Sequence, residues 1–147
     1  MIQVPDNFEA RVRESFDRQG FMGHIGATLS RVGPGVCHIV VPFSEHLTQQ
    51  HGLWHGGVTA TLADNACGFA GFTTMAADQQ PLSVEFKISF VAPARGDRLE
   101  ARATVVSNGR RLKHVRCEIH SLDGAEDPVI AVALATVAAT RSVTEKG

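Results

Sequence analysis

The chain has 147 residues, of which 44% are hydrophobic and 20% charged, a composition typical of one globular domain rather than a disordered segment. Fourteen Lys and Arg residues against fifteen Asp and Glu residues leave a net charge of -1, which disfavours nucleic acid and anionic membranes as partners. The N-terminal sequence has charges throughout, unlike a signal peptide, and no apolar run reaches the ~20 residues that span a bilayer. Three cysteines without a CxxC pair are typical of reduced thiols, so we expect a cytoplasmic protein.

The first predicted element is an amphipathic helix over residues 6–19. Phe8, Val12 and Phe16 recur every four residues, and Gly20 is a typical helix stop. Two strands joined by a tight turn are predicted next. They cover residues 24–32 and 36–43, on either side of Gly33-Pro34-Gly35.

A glycine-rich helix is predicted over residues 56–76, which is about 31 Å at 1.5 Å per residue. Its bulky residues fall on one face, and small residues that include Gly57, Gly68 and Gly71 fall on another, together with Asp64. Interior glycines destabilise a helix by about 1 kcal/mol each relative to alanine. We therefore interpret the small face as a contact surface for a second backbone.

The second half of the chain is predicted to be an antiparallel meander. Its first strand alternates strictly between apolar and polar residues, and its last is apolar on both faces, as in an interior strand. Asn108-Gly109 is a typical two-residue hairpin turn. With the long helix, these strands predict an α+β fold. The four strands are 82–91, 98–106, 111–121 and 129–139.

The start of the glycine-rich helix carries the candidate chemistry. His55-Gly56-Gly57 opens it, where free N–H groups and the positive end of the helix dipole attract negative charge that develops on an oxygen. Asp64 follows Gly56 by eight residues, about 12 Å along the axis, so the two cannot touch the same reacting carbon. If both act in catalysis, two antiparallel helices from two subunits must meet, which predicts a twofold dimer with two composite sites.

Three motifs carry a family resemblance. One begins at Gln49 and reads QxxGxxHGGxxxxLxD, and the sequences LSVEF from Leu82 and VAPA from Val91 follow it. Together they resemble the hotdog-fold acyl-CoA thioesterases, most closely the phenylacetate-pathway (PaaI-like) and human Them2-like branch. The resemblance covers about residues 24–140. It implies a hotdog fold, an antiparallel sheet wrapped around a long central helix, as a single domain over 1–147.

The resemblance also implies an activity, the hydrolysis of an aryl- or medium-chain acyl-CoA to a carboxylate and free CoA. Asp64 would act as nucleophile or general base, and the Gly56 N–H would polarise the thioester carbonyl. His55 would organise that loop, and Ser83 would position the hydrolytic water. Gln49 stands where this branch more often carries Asn, and it resembles instead the 4-hydroxybenzoyl-CoA thioesterases.

The remaining expectations concern ligands and assembly. By the same resemblance, residues at the helix start and in the loop near residue 109 would contact the CoA portion, and the two arginines suit its phosphates. No metal or cofactor is expected, since CoA is part of the substrate. The site requires a homodimer, and relatives are commonly homotetramers. The expected CoA contacts are Gly57, Asn108, Gly109, Arg110 and Arg111.

Two rival functions stay open. One is a non-catalytic acyl-CoA-binding hotdog module, and the other is a hotdog enoyl-CoA hydratase or dehydratase, whose His and acid are usually placed differently. Cys67 lies near the Asp64 face, but no basic partner is within reach on the helix, so a packed thiol is predicted instead of a nucleophile.

Overall fold

The computed structural model describes residues 1–141, which form three α-helices, a short 3₁₀ turn and six strands. Apolar alternation in the strands and glycine- or proline-containing turns between them divide the chain much as predicted. The elements in chain order are α1 (Phe8–Asp17), α2 (Gly20–His24), β1 (Thr28–Gly33), β2 (Val36–Pro42), the 3₁₀ turn (Glu45–Leu47), α3 (Gly56–Phe72), β3 (Gln79–Phe90), β4 (Arg98–Asn108), β5 (Leu112–Leu122) and β6 (Val129–Arg141).

The strands form one antiparallel sheet in the order β1-β2-β4-β5-β6-β3, and α3 packs across it. This confirms the α+β hotdog architecture. The meander is confirmed for β4, β5 and β6, but β3 pairs with β6 and not with β4, so it is an edge strand. The interior position of the apolar β6 matches its prediction.

Small side chains let α3 lie close to the sheet. Its fully buried residues recur at helical spacing and include Ala63, Ala66 and Ala70 alongside the bulkier Leu62. The core is the layer between this helix face and the sheet. Within residues 1–141, no helix has both the length and the hydropathy needed to cross a bilayer.

The central helix is shorter than predicted, because α3 ends at Phe72 and the prediction extended it to residue 76. The following backbone is held by a side chain from α1. The Arg11 guanidinium donates to the carbonyl oxygens of Met75, Ala76 and Gln79 at 3.0–3.1 Å. The Met75 N–H donates to the Phe72 carbonyl oxygen, three residues back, and the Ala76 N–H donates to Gln79 Oε1. The helical ladder, which joins residues four apart, therefore ends here, and the chain turns into β3.

The N-terminal helical region is also divided differently. Gly20, predicted to stop the first helix, is the first residue of α2. This second helix is anchored by the buried Met22 and is followed by Gly26, whose φ of +75° is the left-handed conformation that glycine adopts most readily. As a result, the first strand begins at Thr28 and not at His24.

A β-bulge changes which residues of β3 face α3. Ser83 and Glu85 pair with adjacent residues of β6, which leaves Val84 as the extra residue. Ser83 and Ile88 therefore share the face toward α3, although strict alternation placed them on opposite faces. The predicted separation of Ser83 from the apolar face of the strand is wrong, and the bulge is the reason.

The loop between β3 and β4 fixes the segment that precedes α3. The Trp54 indole N–H donates to the Gly96 carbonyl oxygen at 2.8 Å, and the Gly96 N–H donates to Ser121 Oγ at 2.7 Å. A Cβ at Gly96 would clash with the backbone carbonyl of Leu122. Glycine at this position therefore permits the close approach that anchors Trp54.

We expect Gly96→Ala to lower the free energy of unfolding by about 1–3 kcal/mol, because a backbone carbonyl cannot move aside for the new methyl group. Urea unfolding at one fixed protein concentration measures the change. Gly23→Ala in α2 is the control, since a Cβ there meets no atom within 4 Å. Equal effects of the two substitutions would contradict the packing argument.

Candidate active site

The N-terminus of α3 is capped by the side chain of the residue that precedes it. His55 Nδ1 accepts the Gly57 N–H at 2.8 Å, and the His55 carbonyl oxygen accepts the Val58 N–H at 3.0 Å. An Nδ1 that accepts a hydrogen bond carries no proton, so the neutral ring has its hydrogen on Nε2. Among residues 1–141, no atom accepts the Gly56 N–H, which stays available at the positive end of the helix.

A cavity of about 250 Å³ borders this free N–H. Gln49 and Gly56 both line it, so the structure brings these two predicted residues together. The aromatic ring of Phe90, at the end of β3, lies 3.5 Å from where a Gly56 Cβ would stand. The Gln49 side chain accepts the His51 N–H, a contact that folds it back onto its own loop.

Asp64 lies further along α3, with Ser83 beside it. Ser83 Oγ donates to Asp64 Oδ1 at 2.6 Å, which joins the helix to β3 immediately before the bulge. Asp64 is half-buried and borders a separate cavity of about 260 Å³. The two residues expected to act together are therefore in contact, and their hydrogen bond orients one carboxylate oxygen while the other can face a ligand.

Within one chain, the predicted oxyanion donor and the carboxylate are apart. Gly56 and Asp64 are eight residues from each other on a continuous helix, a rise of about 12 Å, and they border different cavities. Two parts of α3 lie beside the same strand, Gly56 near Phe90 and the mid-helix Asp64 at Ser83. If both groups act on one substrate, the two subunits of a dimer would each supply one of them.

The loop expected to bind CoA lies at the Asp64 end of the sheet. Residues 109–111 connect β4, which ends at Asn108, to β5, and Arg110 and Arg111 are exposed. Leu112, directly after the loop, pairs with Ala138 of β6, which pairs in turn with a β3 residue next to Ser83. Two strand spacings put the loop roughly 10 Å from Ser83 across the sheet.

The hairpin turn differs from the predicted two-residue type. Four residues separate the paired Asn108 and Lys113, and Gly109 lacks the positive φ that such a turn requires. A Cβ at Gly109 would lie 2.8 Å from the Leu112 carbonyl oxygen. Glycine is therefore favoured at position 109, because any other residue would place its Cβ too close to this backbone oxygen.

Lys113 anchors the loop, a role that was not predicted from the sequence. Its side chain is buried, its ammonium donates to the Gly109 carbonyl oxygen at 2.6 Å, and burial lowers its pKa. The stem of Lys113 also covers Gly71 of α3, which therefore packs on the sheet and not on a second backbone as expected. Lys113 is two residues from the buried Val115 in the same strand, so strand alternation predicts that both side chains point toward the core.

Two further residues, which were not predicted from the sequence, border the Asp64 cavity. Asn65 follows Asp64 on α3, and Gln19 directly precedes α2 at its N-cap position. Asn65 carries a weak signal, because asparagine in a helix interior competes with the helical backbone and is a poor helix former. Gln19 carries no such sequence signal, since its approach to α3 depends on the tertiary structure.

The predicted packed state of Cys67 is confirmed. The thiol is buried, and both its hydrogen bond with Cys117 and the loss of solvent raise its pKa far above the ordinary range. Burial likewise raises the pKa of Cys37 to about 12. Neither thiol supplies a thiolate at neutral pH.

Comparisons with known proteins identify the family to which this chain belongs. A family model described as the thioesterase superfamily matches residues 51–127. A predicted esterase of Deinococcus radiodurans is 35% identical over 114 residues, 77% of this chain and 74% of that protein. A thioesterase family protein from Silicibacter pomeroyi superposes with a TM-score of 0.90 at 38% identity, covering 92% of this chain and 99% of that one.

A mutant of the phenylacetic acid degradation protein PaaI from Thermus thermophilus superposes with a TM-score of 0.72 at 26% identity, covering 82% of this chain and 98% of that one. The family model includes the helix start, Asp64 and Ser83, and it spans more than half of the chain. The helix cap, the paired acid and serine, and the sheet are thus found in a chain that belongs to the thioesterase superfamily.

Proposed function

We propose that this thioesterase hydrolyses acyl-CoA at two composite sites of a homodimer, and that no metal or cofactor takes part. The observation that carries the proposal is the separation of two chemical groups along α3. A free N–H at Gly56 lies at the N-terminus of the helix and the Asp64–Ser83 pair lies near its middle, and both regions lie beside β3.

The Gly56 N–H suits an oxyanion. When a thioester carbonyl is attacked, its oxygen gains negative charge, which a preorganised N–H at a helix N-terminus stabilises. His55 keeps this donor free, because its own side chain and carbonyl oxygen accept the next two N–H groups. Gln49 lines the same cavity and would contact the carbonyl side of the substrate.

Asp64 supplies the attacking group. Its carboxylate either adds to the thioester carbon and expels the CoA thiolate, leaving an anhydride that water cleaves, or takes a proton from the water that attacks. Both routes consume one water and release a carboxylate and CoA. Ser83, bonded to Oδ1, orients the carboxylate and lies where it can hold that water.

The edge strand β3 provides the dimer contact that unites the half-sites. Leu82 and Val84 on it are 60% and 57% exposed, and an unpaired apolar edge favours pairing with another strand. Antiparallel pairing of two copies, centred between residues 86 and 87, places Ser83 opposite the partner's Phe90. Asp64 then approaches the partner's Gly56, since each lies beside one of those two residues.

The CoA portion would extend toward the loop at residues 109–111. Arg110 and Arg111 are exposed there, and guanidinium groups bind phosphates through paired hydrogen bonds. Gly57, next to the free N–H, would face the same ligand.

We place the protein in the PaaI-like branch and in the cytoplasm, acting on aryl or medium-chain acyl groups. Gln49 stands in the position where that branch more often has Asn.

We expect Asp64→Asn to lower turnover by about 100-fold or more, because the amide neither attacks nor takes a proton but still accepts the Ser83 hydrogen bond. Thiol release from a panel of aryl, short and medium-chain acyl-CoAs measures it. Glu118→Gln, on the opposite face of the sheet, is the control. Binding of CoA esters without thiol release by the wild-type dimer would contradict the proposal and favour a binding module.

Gly56→Pro tests the oxyanion donor, because proline removes the N–H and is well tolerated at the first position of a helix. We expect kcat to fall by about 10²–10³-fold, the usual cost of losing one oxyanion donor. Gly56→Ala keeps the N–H, and its Cβ makes only an ordinary contact with Phe90, so it is the matched control. Equal activity of the two variants would exclude this role.

Mixing tests whether the site is shared between subunits. Gly56→Pro and Asp64→Asn homodimers are each inactive at both sites, whereas a heterodimer restores one native site of its two. After random subunit exchange, we expect about one quarter of wild-type activity. A mixture as inactive as its components, with heterodimers verified by native mass spectrometry, would show that both groups act within one subunit.

A further inference from the structure

Lys113 is a buried cation that the proposed hydrolysis does not use. Only 4% of the residue is exposed, and no carboxylate pairs with its ammonium in the part of the chain that the structure describes. Burial without an opposite charge disfavours the charged form and lowers the pKa of Lys113. The ammonium must therefore contribute something that offsets the cost of burying it.

Packing of the Lys113 side chain does not require its charge. Its Cβ and Cγ lie 3.6 and 3.5 Å from where a Gly71 Cβ would stand. Methionine has a side chain of nearly the same length, would cover the same glycine, and is far more often buried in proteins. The contribution of the ammonium therefore comes from its 2.6 Å hydrogen bond to the Gly109 carbonyl oxygen.

This hydrogen bond fixes one end of the loop at residues 109–111. At the other end, the Ala139 N–H of β6 donates to the Arg111 carbonyl oxygen at 2.8 Å. Arg110 lies between these two held residues, and its side chain is exposed. The backbone that carries both arginines is thus attached to β5 on one side and to β6 on the other.

We propose, on the basis of the acyl-CoA function above, that Lys113 is a positioning residue for CoA, which holds the loop where Arg110 and Arg111 meet the phosphates. Surface loops are mobile, and ordering a loop and its long side chains on binding weakens affinity. A charge-assisted hydrogen bond to the loop backbone removes part of this cost, because it is stronger than a neutral one. Lys113 acts through the arginines and does not itself touch the phosphates.

Kinetics on two thioesters test where Lys113 acts. The phosphates of CoA do not react, so the loop binds substrate and transition state equally. We therefore expect Lys113→Met to raise KM for phenylacetyl-CoA about tenfold and to leave kcat within about twofold. Phenylacetyl-N-acetylcysteamine, a thioester without phosphates, should show no change in KM.

Calorimetric titration with free CoA separates positioning from a general loss of charge. Lys113→Met should weaken CoA binding about tenfold in the native chain, but less than about twofold when Arg110 and Arg111 are both alanine, since the lysine acts through them. Arg116→Met is the matched control. It removes one cation from the exposed, opposite face of β5 and should leave CoA affinity unchanged.

Equal CoA affinity of Lys113→Met and the wild type would overturn the inference. So would the same loss with and without the arginines, because the lysine would then act independently of them. Lys113→Leu is a second apolar replacement, and failure of both variants to fold would assign the ammonium to the fold and overturn the inference. A wild type that binds no CoA would overturn the acyl-CoA function and this inference together, whereas the other outcomes leave that function intact.

Discussion

The fixed length of one helix determines how this protein can act. A continuous helix rises about 1.5 Å per residue, so Gly56 and Asp64 stay about 12 Å apart whatever the side chains around them do. Because α3 lies on the sheet through alanines and its N-terminus and its middle both lie beside β3, it cannot bend to shorten that distance. In the proposed mechanism, the acid and the oxyanion donor therefore meet only when a second copy supplies one of them.

The edge position of β3 has a cost that the proposed dimer removes. Five exposed apolar side chains lie on or next to this strand. In a monomer, an unpaired strand edge of this kind favours non-specific pairing with strands of other chains. A twofold contact covers the edge and completes both sites at once, so stability and activity depend on the same surface. The exposed residues are Leu82, Val84, Phe86, Phe90 and Val91.

The features predicted correctly from the sequence are those set by local geometry. Hydrophobic alternation indicates the strands. The spacing of Gly56 from Asp64 requires two subunits if both act on one substrate, which stays a prediction. The contact between Asp64 and Ser83 is expected from a family resemblance only, because strict alternation puts Ser83 on the wrong face. The bulge at Val84, which reverses that face, depends on pairing with β6, and a strand's own sequence does not reveal its partner's register.

The polar groups of the proposed site differ from those elsewhere in the described chain. Away from the site, loops satisfy their polar groups, as Trp54 does at the Gly96 carbonyl. The buried His120 Nε2 lacks a hydrogen bond, but carboxylates of Glu118 and Asp127 lie 3.5 and 2.7 Å from its two ring nitrogens, so its charge has partners when the ring is protonated. The Gly56 N–H has no acceptor among residues 1–141, as expected of a donor that a substrate carbonyl would use in the proposed mechanism.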